Sequence, residues 1–72
     1  MTSRRFLVTG MTCDHCVRAV TEELTSLDSV ASVVVTLVPG GVSTVLVEAF
    51  PSLTDAEVAA SLEEAGAYAL AG

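Results

Sequence analysis

The chain contains no lysine. Its only positive side chains are Arg4, Arg5 and Arg18, set against nine acidic ones for a formal net charge of −6. Nucleic-acid binding needs cations to neutralise phosphate, so that class of partner is excluded, and anionic membrane surfaces are disfavoured for the same reason. Long apolar runs are missing too. Val33-Val34-Val35 and Val45-Leu46-Val47 are strand-sized, far short of the roughly 18 residues that a membrane-spanning helix requires, so no membrane insertion is expected. Ser3-Arg4-Arg5-Phe6-Leu7 has the paired arginines of a twin-arginine export signal. Such a signal needs about 7–15 apolar residues after the charges, and this stretch ends at Val8. The segment therefore reads as a first strand, and the protein as cytoplasmic. Tryptophan is absent and the aromatics are Phe6, Phe50 and Tyr68 alone, so the core has to come from Val, Ala and Leu. Only two cysteines occur, which rules out a multi-bridge disulfide scaffold.

A chain of 72 residues is read as one domain, 1–72, near the small end of what folds without staples. Arg4 to Thr9 alternates as a strand with Phe6 and Val8 on one face, and Gly10 to Thr12 form a loop. From Cys13 the period becomes helical: Val17, Val20, Leu24 and Leu27 make one apolar stripe, with Glu22, Glu23 and Thr25 off it. Asp28-Ser29 closes that element. Val30 to Val38 is a β-branched run with Val33, Val35 and Leu37 on one face. Val38-Pro39-Gly40-Gly41 suits a type II turn, with Pro at the second position and Gly supplying positive φ at the third. Val42 to Ala49 returns as a strand with Val45 and Val47 inward. A second helix is announced by Thr54 and Glu57 as a capping box and by Leu53 and Val58 as a hydrophobic staple. Val58, Leu62 and Ala65 are its core stripe, Gly66 its expected left-handed terminator, and Ala67 to Leu70 a last short strand. The order βαββαβ predicts an α+β, ferredoxin-like open-faced sandwich with both helices on one sheet face.

Cys13 and Cys16 stand where the first strand hands over to the first helix. A C-x-x-C pair at a helix start holds two sulfurs close together, where backbone N–H groups and the helix dipole favour thiolate. With no secretion signal, such a pair points to reactive or metal-binding thiols and not to a structural disulfide. Thiolates are soft ligands that select Cu(I), Zn(II) and similar ions. Structural zinc wants four N/S ligands, and this chain offers two Cys and one His. Two sulfurs suffice for Cu(I), so Cys13 and Cys16 are the expected metal ligands and Cu(I) the expected ion. A thiol–disulfide redox protein is the alternative, since thioredoxin-like proteins also place C-x-x-C at a helix start; here no Trp precedes Cys13 and no Pro separates the pair. His15 reads as a solvent-facing neighbour in preference to a third ligand, and Asp14 as a helix-start charge. No catalytic constellation is visible, so an enzyme is not expected.

The run Gly10-Met11-Thr12-Cys13-Asp14-His15-Cys16, set in this element order, resembles the heavy-metal-associated domain family, specifically its small soluble bacterial copper chaperones. Their signature G-M-x-C-x-x-C is matched by Gly10, Met11, Cys13 and Cys16, and the resemblance runs from Arg4 to Leu70. It implies a Cu(I) metallochaperone that hands copper by ligand exchange to the metal-binding domain of a copper-transporting P-type ATPase. A carrier of another soft metal, Zn or Hg, on the same fold is a further alternative, and a copper-bridged homodimer stays open. Copper-handling members carry Thr before the first Cys, as Thr12 does here, where zinc-handling relatives often carry Asp. The resemblance also implies that Met11 packs beneath the loop. Bacterial members often place a Tyr directly after the helix-terminal Gly, near the metal loop. In this chain Ala67 intervenes between Gly66 and Tyr68, leaving Tyr68 either beside the thiols or in plain core packing.

Overall fold

A computed structural model describes residues 1–71. The chain runs β1 (Thr2–Thr9), α1 (Asp14–Thr25), β2 (Val30–Thr36), β3 (Ser43–Ala49), α2 (Asp55–Ala65) and β4 (Ala69–Leu70). The four strands form one antiparallel sheet in the order β2-β3-β1-β4, the ferredoxin-like βαββαβ arrangement that the sequence pattern predicts. Side chains alternate across a strand, so the register decides which residues meet the helices. Phe6 lies opposite Val45, Arg4 opposite Val47, and Val33 and Val35 opposite Val47 and Val45. That layer, with Val8 and Ala49, closes over Met11, Cys16, Val20 and Leu24 from the α1 side and Leu53, Val58 and Leu62 from the α2 side. Burying each Val or Leu fully contributes roughly 1.5–3 kcal/mol, and the set forms one continuous cluster. The other sheet face carries Arg5, Leu7, Val34 and Leu46, all exposed to solvent.

Antiparallel pairing also fixes where the connections gather. The β1–α1 loop, the β2–β3 turn and the α2–β4 connection lie together at one end of the sheet. The α1–β2 and β3–α2 connections lie at the other, where the Ser29 and Ser52 hydroxyls meet at 3.1 Å. Arg4 ties β1 to the start of α2: its guanidinium donates to the Leu53 carbonyl at 2.7 Å, pairs with Asp55, and rides 4.9 Å over the Phe6 ring.

Several local expectations are met in detail. Thr54 caps α2, with Glu57 N–H donating to its Oγ1 at 3.2 Å and the Thr54 N–H donating to Glu57 Oε1 at 3.1 Å. The staple residues Leu53 and Val58 are both buried. Gly40 has φ 73°, and the Gly41 N–H closes the turn on the Val38 carbonyl at 3.0 Å.

Other boundaries move. β1 begins at Thr2, because Thr2 and Ser3 pair with Ala49 and Glu48 and need no apolar pattern to do so. α1 ends at Thr25, where the Thr25 and Ser26 hydroxyls donate to the Thr21 and Glu23 carbonyls at 2.7 and 2.6 Å. Leu27 still packs on the core, from a turn in which its N–H donates to the Leu24 carbonyl. Gly66 ends α2 but is extended, not left-handed, and its N–H donates to the Leu62 carbonyl. Its lack of a side chain has another cause: a Cβ there would lie 2.9 Å from Cε2 of the Tyr68 ring. The last strand shrinks to Ala69–Leu70, since the chain at Ala67 and Tyr68 is committed to packing against Gly10 and Gly66.

Candidate metal centre

β1 delivers the chain to Gly10, whose φ of 95° turns it away from the sheet. A Cβ at Gly10 would stand 2.8 Å from the Ala67 carbonyl oxygen and 3.4 Å from Cδ1 of Tyr68, so glycine is what lets the β1–α1 loop lie against the α2–β4 connection. Met11 then plunges into the core and is fully buried. It anchors the loop from below, as the resemblance implies, and its carbonyl accepts the Gly40 N–H at 3.3 Å.

Cys13 is the N-cap of α1. Its backbone is extended, at φ −156° and ψ 174°, and its carbonyl accepts the Cys16 and Val17 N–H groups at 3.0 and 3.3 Å. Its side chain makes no capping hydrogen bond, which leaves the sulfur free and exposed. Cys16 lies in the first turn, 9% exposed, on the same helix face as Val20 and Leu24. Both thiols are unbridged, with Sγ atoms 3.8 Å apart, against about 2.05 Å in a disulfide.

Four polar groups converge on Cys16. The Thr12 backbone N–H contributes most to lowering its pKa, followed by the Tyr68 hydroxyl, the Thr12 hydroxyl and the Cys13 backbone; burial opposes them. Together they bring the thiol from 9.0 down to about 6. The Thr12 Oγ1 stands 3.7 Å from the sulfur. The Tyr68 hydroxyl is correspondingly held above its ordinary value, first by its hydrogen bond to Cys16, then by burial and the nearby sulfur charges. At neutral pH Cys16 is therefore mostly thiolate, held by neutral donors and by the positive end of α1.

Of the sequence-predicted site residues, Cys13 and Cys16 are brought together. His15 is exposed on the outer side of the first turn, and Asp14 beside it is an exposed first-turn charge. Among the described residues, no three His, Cys, Asp or Glu side chains converge on one point. Tyr68 packs its ring against the core, and its hydroxyl lies on the Cys16 side, where it helps to lower that thiol's pKa. The hydrogen bonding of Thr12 to Cys16 was not legible in the sequence, where Thr12 stood only for a missing carboxylate. Its place four residues before Cys16, at a helix start, was the available signal.

A four-stranded sheet with two helices on one face and a thiol pair at the start of the first helix defines a class. The chain belongs to the heavy-metal-associated domain family, whose sequence profile matches residues 5–67. Two solved structures are similar to it over nearly their whole length. One is the CopZ metallochaperone, with a TM-score of 0.83 and 28% identity over 97% of this chain and 100% of that one. The other is a Bacillus anthracis strain Ames protein to which copper-ion binding is ascribed, with a TM-score of 0.75 and 30% identity over 97% of each chain. No curated protein sequence is significantly similar to this one. Among the described residues, no helix is long and apolar enough to cross a membrane.

Proposed function

We propose that this protein is a Cu(I) carrier, with Cys13 and Cys16 as its two metal ligands. The observation that carries the reading is the thiol pair itself: one exposed sulfur and one buried sulfur, 3.8 Å apart and unbridged. Among the described residues no carboxylate or imidazole joins the two sulfurs, and a pair of soft thiolates suits a soft monovalent ion better than Zn(II) with its four ligands. Family membership and likeness to the CopZ metallochaperone support the same assignment.

The spacing also bears on release. With a metal–thiolate bond of about 2.3 Å as yardstick, two sulfurs sit about 4.6 Å apart around a linear ion and about 4.0 Å apart around a trigonal one. At 3.8 Å the pair is well inside the linear span and near both the trigonal value and the roughly 3.8 Å of a tetrahedral ion, so the spacing leaves room for a further ligand and does not by itself choose between metals. A third thiolate from an acceptor can thus enter with little rearrangement, Cys13 is the ligand it meets first, and Cys16 is the anchor that leaves last. The acceptor in this reading is the metal-binding domain of a copper-transporting P-type ATPase, met in the cytoplasm. Nothing in the cycle makes or breaks a covalent bond of a substrate, so the protein is a carrier and not an enzyme. A thiol–disulfide role fits less well, because the family match and the likeness to a metallochaperone both favour a carrier.

The test is metal analysis of protein purified anaerobically from copper-fed cells, followed by competition under reducing conditions. One Cu(I) per chain, retained against excess Zn(II), is expected. Displacement of Cu(I) by Zn(II) would overturn the copper assignment.

A further inference from the structure

β2 is an outer strand of the sheet, bonded to β3 on one side and, among the described residues, to nothing on the other. Alternate residues of a strand direct their N–H and C=O groups to opposite edges, so the inner pairings fix which groups β2 turns outward. The Ala71 N–H donates to the Leu7 carbonyl at 2.8 Å, which points the Leu7 backbone toward β4. Phe6 and Val8 therefore bond β3 at Val45 and Ser43, and β3 meets β2 through Thr44, Leu46 and Glu48. Their partners Thr36, Val34 and Ser32 are committed to that ladder, so the outward groups of β2 are those of Val33 and Val35. The Phe50 N–H, donating to the Ser29 carbonyl at 2.8 Å, gives the same phase from the far end.

This edge lacks the devices that usually blunt one. No residue from Ser29 to Val47 is charged, and no proline falls within β2. Its one irregularity, a register shift between Val30 and Ser32, lies at its start. Val33 and Val35 pack their side chains on the core, which holds the outward backbone groups in place. Val34 between them is 60% exposed on the open sheet face.

The strand is also its own complement. Laid antiparallel to a second copy about a two-fold at Val34, Val33 of each chain falls opposite Val35 of the other. Those are hydrogen-bonded pairs, closing backbone groups otherwise left to water. Val34 meets Val34 as the close, non-hydrogen-bonded pair, with Cα atoms about 4.5 Å apart. On the same face Ser32 of each chain falls opposite Thr36 of the other, a cross-strand hydroxyl pair. No position sets charge against charge, although each chain carries −6.

We infer that this protein pairs with a second copy of itself through β2, making one continuous sheet of the two. The two-fold stands normal to the sheet, so the two thiol loops lie at opposite ends of the pair. Neither is covered, and metal plays no part in the contact; the inference is independent of the carrier reading. A joint of one strand pair buries less than the roughly 1,200 Å² of a stable interface, and the two acidic molecules repel. The pair is therefore weak, forms at high protein concentration, and gains from salt that screens the repulsion.

The experiment is sedimentation equilibrium of the reduced, metal-free protein over a wide concentration range, at low and high salt. The natural chain should move from 7.4 kDa toward twice that mass, and further at high salt. Val34→Lys and Val34→Glu each set like charges face to face at the two-fold, and each should weaken association about fivefold or more. An equimolar mixture of the two should recover it, because Lys on one chain then meets Glu on the other. Leu7→Lys, on the same open face but two strands inward, should not weaken it. A natural chain that stays monomeric at the highest concentration would overturn the inference, as would a mixture that fails to associate. Association lost in Leu7→Lys, or weakened by salt, would also overturn it, since stacked sheet faces or ion pairs would then hold the two copies.

Discussion

Gly10 and Gly40 both occupy positive φ, at 95° and 73°, yet replacing them by alanine should have very different consequences. At Gly40 nothing lies within 4 Å of where a Cβ would stand. Only the backbone conformation resists there, at a cost of about 1 kcal/mol for one residue in the left-handed region. At Gly10 the same kind of penalty applies and a second one is added. The new Cβ would sit 2.8 Å from the Ala67 carbonyl oxygen, about 0.6 Å or more inside an ordinary contact. That oxygen belongs to backbone and cannot swing aside as a side-chain tip would. The α2–β4 connection must shift bodily, carrying Tyr68 with it. We expect Gly40→Ala to lower the apo melting temperature by about 4–8 °C, as about 1 kcal/mol does in a domain of this size. Gly10→Ala should cost at least about twice that, a large share of the roughly 3–5 kcal/mol that a core of this size supplies. Thermal unfolding followed by circular dichroism, on the reduced apo protein, reads both. Equal shifts for the two variants would refute the reasoning, since the close approach of loop and connection would then carry no energetic weight.

Three further outcomes follow from the site. Tyr68→Phe removes a hydrogen-bond donor from Cys16, so the Cys16 pKa should rise from about 6 in an ultraviolet titration of the thiolate; an unchanged or lower value would contradict the assigned contact. Because folding depresses the Cys16 pKa, its thiolate stabilises the folded apo protein fully only above pH about 9, and that contribution is lost as pH falls through about 6. Apo melting temperature should thus climb between those values, and Cys16→Ser should flatten the climb; a slope that survives the substitution would assign it to another group. Finally, a limiting amount of a bulky alkylating reagent at neutral pH should modify Cys13 first, since Cys13 is exposed while Cys16 is buried and out of the reagent's reach. Preferential labelling of Cys16 would reverse the proposed order of ligand exchange.

How much of this was legible in advance depended on whether the cause was local. The capping box at Thr54 and Glu57, the staple at Leu53 and Val58, and the turn at Pro39-Gly40 are written within a few neighbouring residues, and each is found where it was expected. The pairing of Cys13 with Cys16 is local too, being one turn of helix. The features that escaped depend on residues distant in sequence. Gly66 carries the mark of a left-handed helix terminator, but its glycine serves the Tyr68 ring. Gly10 is needed because of Ala67, some 57 positions away in the chain. Nothing in the local pattern of Val42–Ala49 marks Ser43 as the buried residue whose hydroxyl accepts the Val38 N–H and clamps the β2–β3 turn. β1 gains Thr2 and Ser3 only because β3 offers them partners. Sequence periodicity finds faces and caps; it does not show which connection will lie against which.

The central claim is that a two-thiolate site binds one Cu(I), and the most direct test is the stoichiometry and affinity of Cu(I) under chelator competition for the natural protein, Cys13→Ser, Cys16→Ser and His15→Ala. The account predicts one Cu(I) per chain, lost in each cysteine variant and retained with most of its affinity in His15→Ala. Loss of binding in His15→Ala as complete as in the cysteine variants would mean a three-coordinate site and contradict the account.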